Sequence, residues 1–279
     1  MTIGAAWIRK VKDCEELFVV SDSRLSGDGT TWDECMKINI LPRKGCFISF
    51  AGSTNIAYPL MQQISMSIAA HRKSTLGFMD LHDLKGHLLN VINSLVKSIK
   101  FDDPNIIEID LVQTEFIFGG YSWVRKKFSI WLFFYDKKQK KFVARSSYKI
   151  PNMGDCIIAG DVKYNGVKAL NTLLQQKYGQ DFGKEEFIGF DMEPFEMVRD
   201  LLLNNRGDFG IDKHRTIGGA PQIVKVYQHM NTEPVGVYWP NRSGVPTLLG
   251  RRLLGYENTD LIYLDPFELK AERIPITNE

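Results

Sequence analysis

Behind Met1 stands Thr2, and the run Ile3, Gly4, Ala5, Ala6, Trp7, Ile8 follows it at once. A methionine ahead of a threonine is of the type trimmed in the cytosol, and a chain beginning at Thr2 carries a free α-amine and a β-hydroxyl on one residue. The hydroxyl is a weak nucleophile until a base takes its proton. An α-amine, with a reference pKa of about 7.7–8.0, is neutral often enough at cellular pH to be that base. Thr2 is therefore expected to act as a nucleophile that carries its own base, a pattern seen in acyl transfer.

Other side chains with chemical potential say less. Cys14, Cys35, Cys46 and Cys156 are widely separated and form no C-x-x-C pair, which suits buried thiols in a reducing compartment rather than disulfides or zinc. His82 and His87 are five apart, not at the i, i+4 spacing of a helical metal pair, and are expected as exposed helix residues. Neither a metal nor a cofactor is expected. With 279 residues, 44% of them hydrophobic, the chain can bury a large core. The formal net charge of +2 comes from dispersed basic residues, which disfavours nucleic acid as a partner. The apolar stretch at 130–135 falls far short of the roughly 20 residues that span a bilayer. With no leader expected ahead of Thr2, the reading is a cytoplasmic protein with no membrane partner.

The elements that must position Thr2 emerge from periodicity. Strands are predicted at 2–9 and 17–21, joined by the charged turn KVKDCEE, and at 37–41 and 46–52. Helices follow at 54–72 and 80–100, where Ile56, Leu60, Ile64, Ile68 and then Leu81, Leu84, Leu88, Ile92 fall at helical spacing. Strands return in EIDLVQTEFIFGGY, FSIWLFFYD, FVARSSYKI and CIIAG. Helices are predicted at 163–178 and 185–205, and a last β region in PQIVKVYQ and VGVYWP. This order is no regular βαβ alternation. An α+β fold of two antiparallel sheets packed face to face, with a helix pair on each outer surface, fits it: a four-layer αββα sandwich.

Thr2, SDSR at 21–24, MKINI at 36–40, SFAGS at 49–53 and TIGGAPQIVKVY at 216–227 occur in an order that resembles the proteasome β-subunit class of N-terminal-nucleophile hydrolases, including bacterial HslV-type and Anbu-type peptidases. The likeness covers roughly residues 2–230. It implies that Lys37 activates Thr2 electrostatically, that Asp22 fixes Lys37, and that the Gly52 N–H, at a strand-to-helix junction, serves as oxyanion donor. Ser53 or Thr54 would cap the helix after it.

Two places depart from the family pattern. A Ser-Gly pair is expected after CIIAG, where this chain has Asp161; a carboxylate there would accept from the terminal ammonium and raise its pKa. Ahead of Gly218–Gly219 the usual Asp and Ser are replaced by Asp212, His214, Arg215 and Thr216, with Asp212 the best carboxylate and Thr216 the best substitute for the serine. The resemblance implies a threonine hydrolase of peptide or unfolded-protein substrates, assembled as a homo-oligomer, with an ATP-dependent unfoldase as a conceivable partner. A catalytically silent scaffold subunit and a small-molecule amidase are the alternatives. Residues 1–230 read as the hydrolase-like domain and 231–279 as an ordered extension of it.

Overall fold

The computed structural model describes residues 2–11, 14–27, 29–100, 104–179, 189–205, 212–213, 215–257 and 259–273. The chain opens with a hairpin of β1 (Ile3–Val11) and β2 (Cys14–Ser21), paired from Gly4↔Ser21 to Val11↔Cys14. The centre of the predicted turn, residues 12–13, lies outside the described residues. A small hairpin without a counterpart in the sequence reading follows, β3 (Leu25–Gly27) on β4 (Thr30–Trp32). Next come β5 (Ile38–Ile40) and β6 (Cys46–Ala51), then helices α1 (Thr54–Ala70), α2 (Arg72–Thr75), α3 (Leu81–Ser98) and α4 (Pro104–Gln113).

Strands β7 (Glu115–Ser122), β8 (Lys127–Asp136), β9 (Lys141–Ser146), β10 (Tyr148–Ile150) and β11 (Gly154–Gly160) lead to α5 (Lys163–Tyr178) and α6 (Glu193–Leu203). The chain closes on β12 (Gln222–Tyr227), β13 (Thr232–Trp239), β14 (Val245–Leu248), β15 (Arg251–Arg252), β16 (Ile262–Leu264) and β17 (Ala271–Arg273). The larger sheet has the order β10-β11-β1-β2-β12-β13-β14-β15, with β16 parallel to β13 and β17 antiparallel to β16. The second sheet is β5-β6-β7-β8-β9, antiparallel throughout.

Period-2 alternation divides each sheet into two apolar faces. Along β1 and β2, Ile3, Ala5, Trp7, Phe18 and Val20 pack with Leu170 and Leu174 of α5 and Phe195 and Val198 of α6. Their neighbours Ala6, Leu17 and Val19 turn the other way and meet Phe47, Ile117, Ile130 and Leu132 of the second sheet. That sheet's far face, with Ile48, Phe50, Phe118 and Phe133, packs on Ile56, Leu60, Ile64 and Ile68 of α1 and Leu84, Leu88 and Ile92 of α3. A one-residue slip in any of these strands would exchange its two faces, so the packing also fixes the register that delivers the site residues.

Several expectations need correction. Residues 108–113 of the predicted strand EIDLVQTEFIFGGY belong to α4, and β7 begins only at Glu115. The alternation Glu108-Ile109-Asp110-Leu111 imitates a strand, but Pro104 suits a helix start. Ile107 and Leu111 share a helical face on the second sheet's core, and the Thr114 N–H and hydroxyl both return to the Asp110 carbonyl. The helix predicted at 185–205 is confined, among the described residues, to α6; residues 185–188 lie outside them. Cys14 is exposed. His82 and His87 are half-buried instead of exposed, because they flank the apolar stripe of α3, where His82 sits edge-on to Trp131 at 4.8 Å. No helix among the described residues is long and apolar enough to cross a membrane.

Candidate active site

The start of β1 lies between the ends of its two neighbours. Ile3 pairs with Gly160 at the end of β11, and Gly4 pairs with Ser21 at the end of β2. The residues directly after those strands, Asp161 and Asp22, are thereby brought to Thr2. From the second sheet, Lys37 precedes β5 and its carbonyl accepts from the Phe50 N–H at 3.1 Å, so Lys37 and the end of β6, where Gly52 follows, share one edge of the molecule.

Lys37 joins the two sheets chemically. Its Nζ donates to Thr2 Oγ1 at 2.8 Å and to Asp22 Oδ1 at 2.9 Å. Thr2 is 1% exposed, and Lys37 and Asp22 are fully buried. The Asp22 carboxylate accepts four donors: Ile3 N–H and Lys37 on Oδ1, Arg24 N–H and Gly218 N–H on Oδ2. Burial pushes the Lys37 ammonium below the ordinary lysine range, with Asp22 pulling the other way through charge and hydrogen bond. Burial likewise pushes the Asp22 carboxyl up, against the attraction of Lys37 and the N–H donors.

Asp161 grips the backbone of Thr2 from both sides. Its Oδ2 accepts from the Thr2 nitrogen at 2.7 Å, and its own N–H donates to the Thr2 carbonyl at 3.0 Å. Gly160 makes this approach feasible. Its φ is +105°, and a Cβ there would lie 1.9 Å from the Thr2 carbonyl oxygen. Gly52 is similar, with φ +103° and a hypothetical Cβ 2.0 Å from the Gln113 carbonyl oxygen. Among the described residues none accepts a hydrogen bond from the Gly52 N–H. Ser53 occupies the N-cap of α1 but makes no side-chain cap bond.

Asp212 and Thr216 make no hydrogen bond to Thr2 among the described residues. Asp212 pairs with Nη1 of Arg24, whose other side is held by both oxygens of Asp33. These bonds, that to Asp33 first, hold the guanidinium even more firmly protonated than usual. Thr216 is half-buried and, among the described residues, makes no hydrogen bond to Thr2, Lys37 or Asp22. What this segment supplies is the Gly218 N–H on Asp22. His214 lies outside the described residues.

Two positioning residues escaped the sequence reading although both stand inside quoted motifs. Arg24 ties the 33 and 212 segments to the end of β2. Gln222, fully buried, donates from Nε2 to the carbonyls of Asp22 and Cys35 at 3.0 and 2.7 Å, while its Oε1 accepts from Lys37 N–H at 2.9 Å. A glutamine opening an apolar strand is the one signal that could have marked it, since a buried amide must find partners. Among the described residues no group of three or more His, Cys, Asp or Glu side chains is placed to hold a metal ion.

No family model matches the chain, and no curated protein matches it. Among solved structures, an Anbu (Gly-1) mutant from Hyphomicrobium sp. strain MC1 is similar over 84% of this chain and 85% of that one, with a TM-score of 0.51 and 13% sequence identity. At that identity the likeness is one of fold alone: the chain shares the overall architecture of that Anbu structure.

Proposed function

We propose that this protein is a threonine-type amide-bond hydrolase, a proteasome-like peptidase whose nucleophile is Thr2 once residue 1 has been removed. The observation that carries the reading is the buried Lys37 ammonium held between Thr2 Oγ1 and Asp22. A cation 2.8 Å from a hydroxyl stabilises the alkoxide that attack on a carbonyl requires, and a carboxylate with four donors keeps that cation fixed. The packing of α5 and α6, two sheets, then α1 and α3 supports the four-layer αββα sandwich in which this site type is built.

In the proposed reaction the Thr2 α-amine accepts the hydroxyl proton as Oγ1 bonds to the scissile carbonyl carbon. The Gly52 N–H donates to the resulting oxyanion. Collapse breaks the C–N bond as the ammonium returns its proton to the leaving amine, and an ester remains on Thr2. Water, deprotonated by the same amine, then releases the acid and restores the hydroxyl. Asp161 would sit against the amine in this scheme, since the Thr2 nitrogen already bonds its Oδ2. Peptides or unfolded protein are the proposed substrates.

The experiment is turnover of short acyl-peptide fluorogenic substrates by chain that starts at Thr2. Thr2→Ala abolishes turnover while leaving the circular dichroism spectrum and melting midpoint near those of the parent. Equal turnover in the two proteins would end the proposal.

A further inference from the structure

Strand β7 opens on a carboxylate, Glu115. Period 2 along the strand places Glu115 on the same face as Ile117, which packs between the two sheets. Glu115 is only 8% exposed, and a charge in that layer is costly unless its oxygens find donors. Both do. Oε2 accepts from the Gly160 N–H at 3.1 Å, and Oε1 accepts from Lys163 Nζ at 2.7 Å. These two partners flank Asp161, one at the end of β11 and the other at the start of α5.

Gly160 is where the contact has its effect. With φ at +105° it sits in a region that glycine enters freely, so backbone preference does little to fix the direction in which the chain leaves β11. The next residue, Asp161, holds Thr2 by two bonds, Oδ2 to the Thr2 nitrogen at 2.7 Å and N–H to the Thr2 carbonyl at 3.0 Å. Glu115, anchored in the second sheet, restrains the glycine on which that carboxylate pivots. It is also paired across the sheet with Ala51, the residue before Gly52.

We propose that Glu115 is a positioning residue: through Gly160 it holds the Asp161 carboxylate against the Thr2 nitrogen. This role rests on the reading of Thr2 as the first residue of the mature chain, and it deepens that reading. The other charged groups around Thr2 are Lys37 on its Oγ1, Asp22 behind Lys37, and Lys163, which Glu115 pairs. With Glu115 in place, Asp161 stabilises the Thr2 ammonium. Without it the carboxylate is free to turn away, and the amine pKa falls.

The test is a 13C NMR titration of the Thr2 Cα in threonine-labelled chain that starts at Thr2, the signal being identified by its loss in Thr2→Ser. Glu115→Met lowers the amine pKa by ~0.5 or more, and Asp161→Asn lowers it by at least as much. In the Asp161→Asn background Glu115→Met adds nothing further, because its effect runs through Asp161. Should Glu115→Met not fold, as judged by circular dichroism, Glu115→Asp takes its place. That variant keeps the charge but falls a methylene short of Gly160, and it also lowers the pKa. An unchanged amine pKa in the folded Glu115 variant or in Asp161→Asn overturns the proposal, and so does a Glu115 shift that persists in the Asp161→Asn background. The titration needs no turnover, so a chain without hydrolase activity still decides the role of Glu115.

Discussion

Lys37 can act on Thr2 only as a compact cation at one point, because its Nζ lies 2.8 Å from one oxygen and 2.9 Å from another in a fully buried setting. Lys37→Ala is therefore expected to lower kcat/KM by ~10²-fold or more. Lys37→Arg does not restore it, since a planar guanidinium cannot occupy the same point; steady-state kinetics on the two variants decides this.

Asp161 gives a pH prediction whose sign follows from its charge. A carboxylate against the α-amine favours the ammonium and raises its pKa, so the free base that catalysis needs appears only at higher pH. Asp161→Ser then moves the acid limb of kcat/KM to lower pH, and an unmoved limb contradicts the role. On the alkaline side the group that the proposed mechanism requires is the Lys37 ammonium. Burial lowers its pKa, so it loses its proton earlier as pH rises, and the alkaline limb falls below the ordinary lysine range in both proteins. Thr2 could be picked out from its place behind Met1, and Asp22, Lys37 and Asp161 from the resemblance of the motifs around them; each directly follows or precedes a strand, and the pairing of those strands brings them together. Asp212 could not be placed that way. Its choice between Thr2 and Arg24 depends on how a segment without periodicity folds back, and its carboxylate pairs with Arg24, which Asp33 also holds.

The hairpin β1–β2, the strand β12 and the short β5 are joined at the site by one amide. Gln222 opens β12 opposite Ser21, and its side chain binds both the end of β2 and the start of β5. Gln222→Met preserves the volume but strands the Lys37 N–H and the Asp22 and Cys35 carbonyls. Each unpaired buried group costs about 1–3 kcal/mol, so a fall in the denaturation midpoint is expected together with a lower kcat at little changed KM. A variant with normal kcat would show that the glutamine serves the fold alone. Strands and long helices were legible from sequence because burial on one or two faces imposes their periods, as in α3, where Leu81, Leu84, Leu88 and Ile92 are all buried. The α4 segment was not, because ten residues with alternating charge satisfy both periods and only the packing of Ile107 and Leu111 selects between them.

Across the whole molecule, β13 to β17 extend the larger sheet beyond β12. We take them as one folding unit with the rest, in line with an extension read from its turn-forming Pro, Gly and Asn among aromatic pairs. The proposed peptidase activity would need enclosure, which self-association could supply. A homo-oligomer with contacts above ~1,000 Å² is expected, and light scattering at micromolar concentration checks this; an active monomer would refute it.

Thr2 is the proposed nucleophile, and covalent capture tests that role most directly. Chain exposed to a β-lactone or a peptide epoxyketone is digested and mapped by mass spectrometry. The expected result is loss of Met1 in the untreated protein and a single adduct on the peptide that begins at Thr2, absent after Thr2→Ala and slowed in Lys37→Ala. A protein that keeps Met1 throughout, or that carries the adduct at any other residue, contradicts the account.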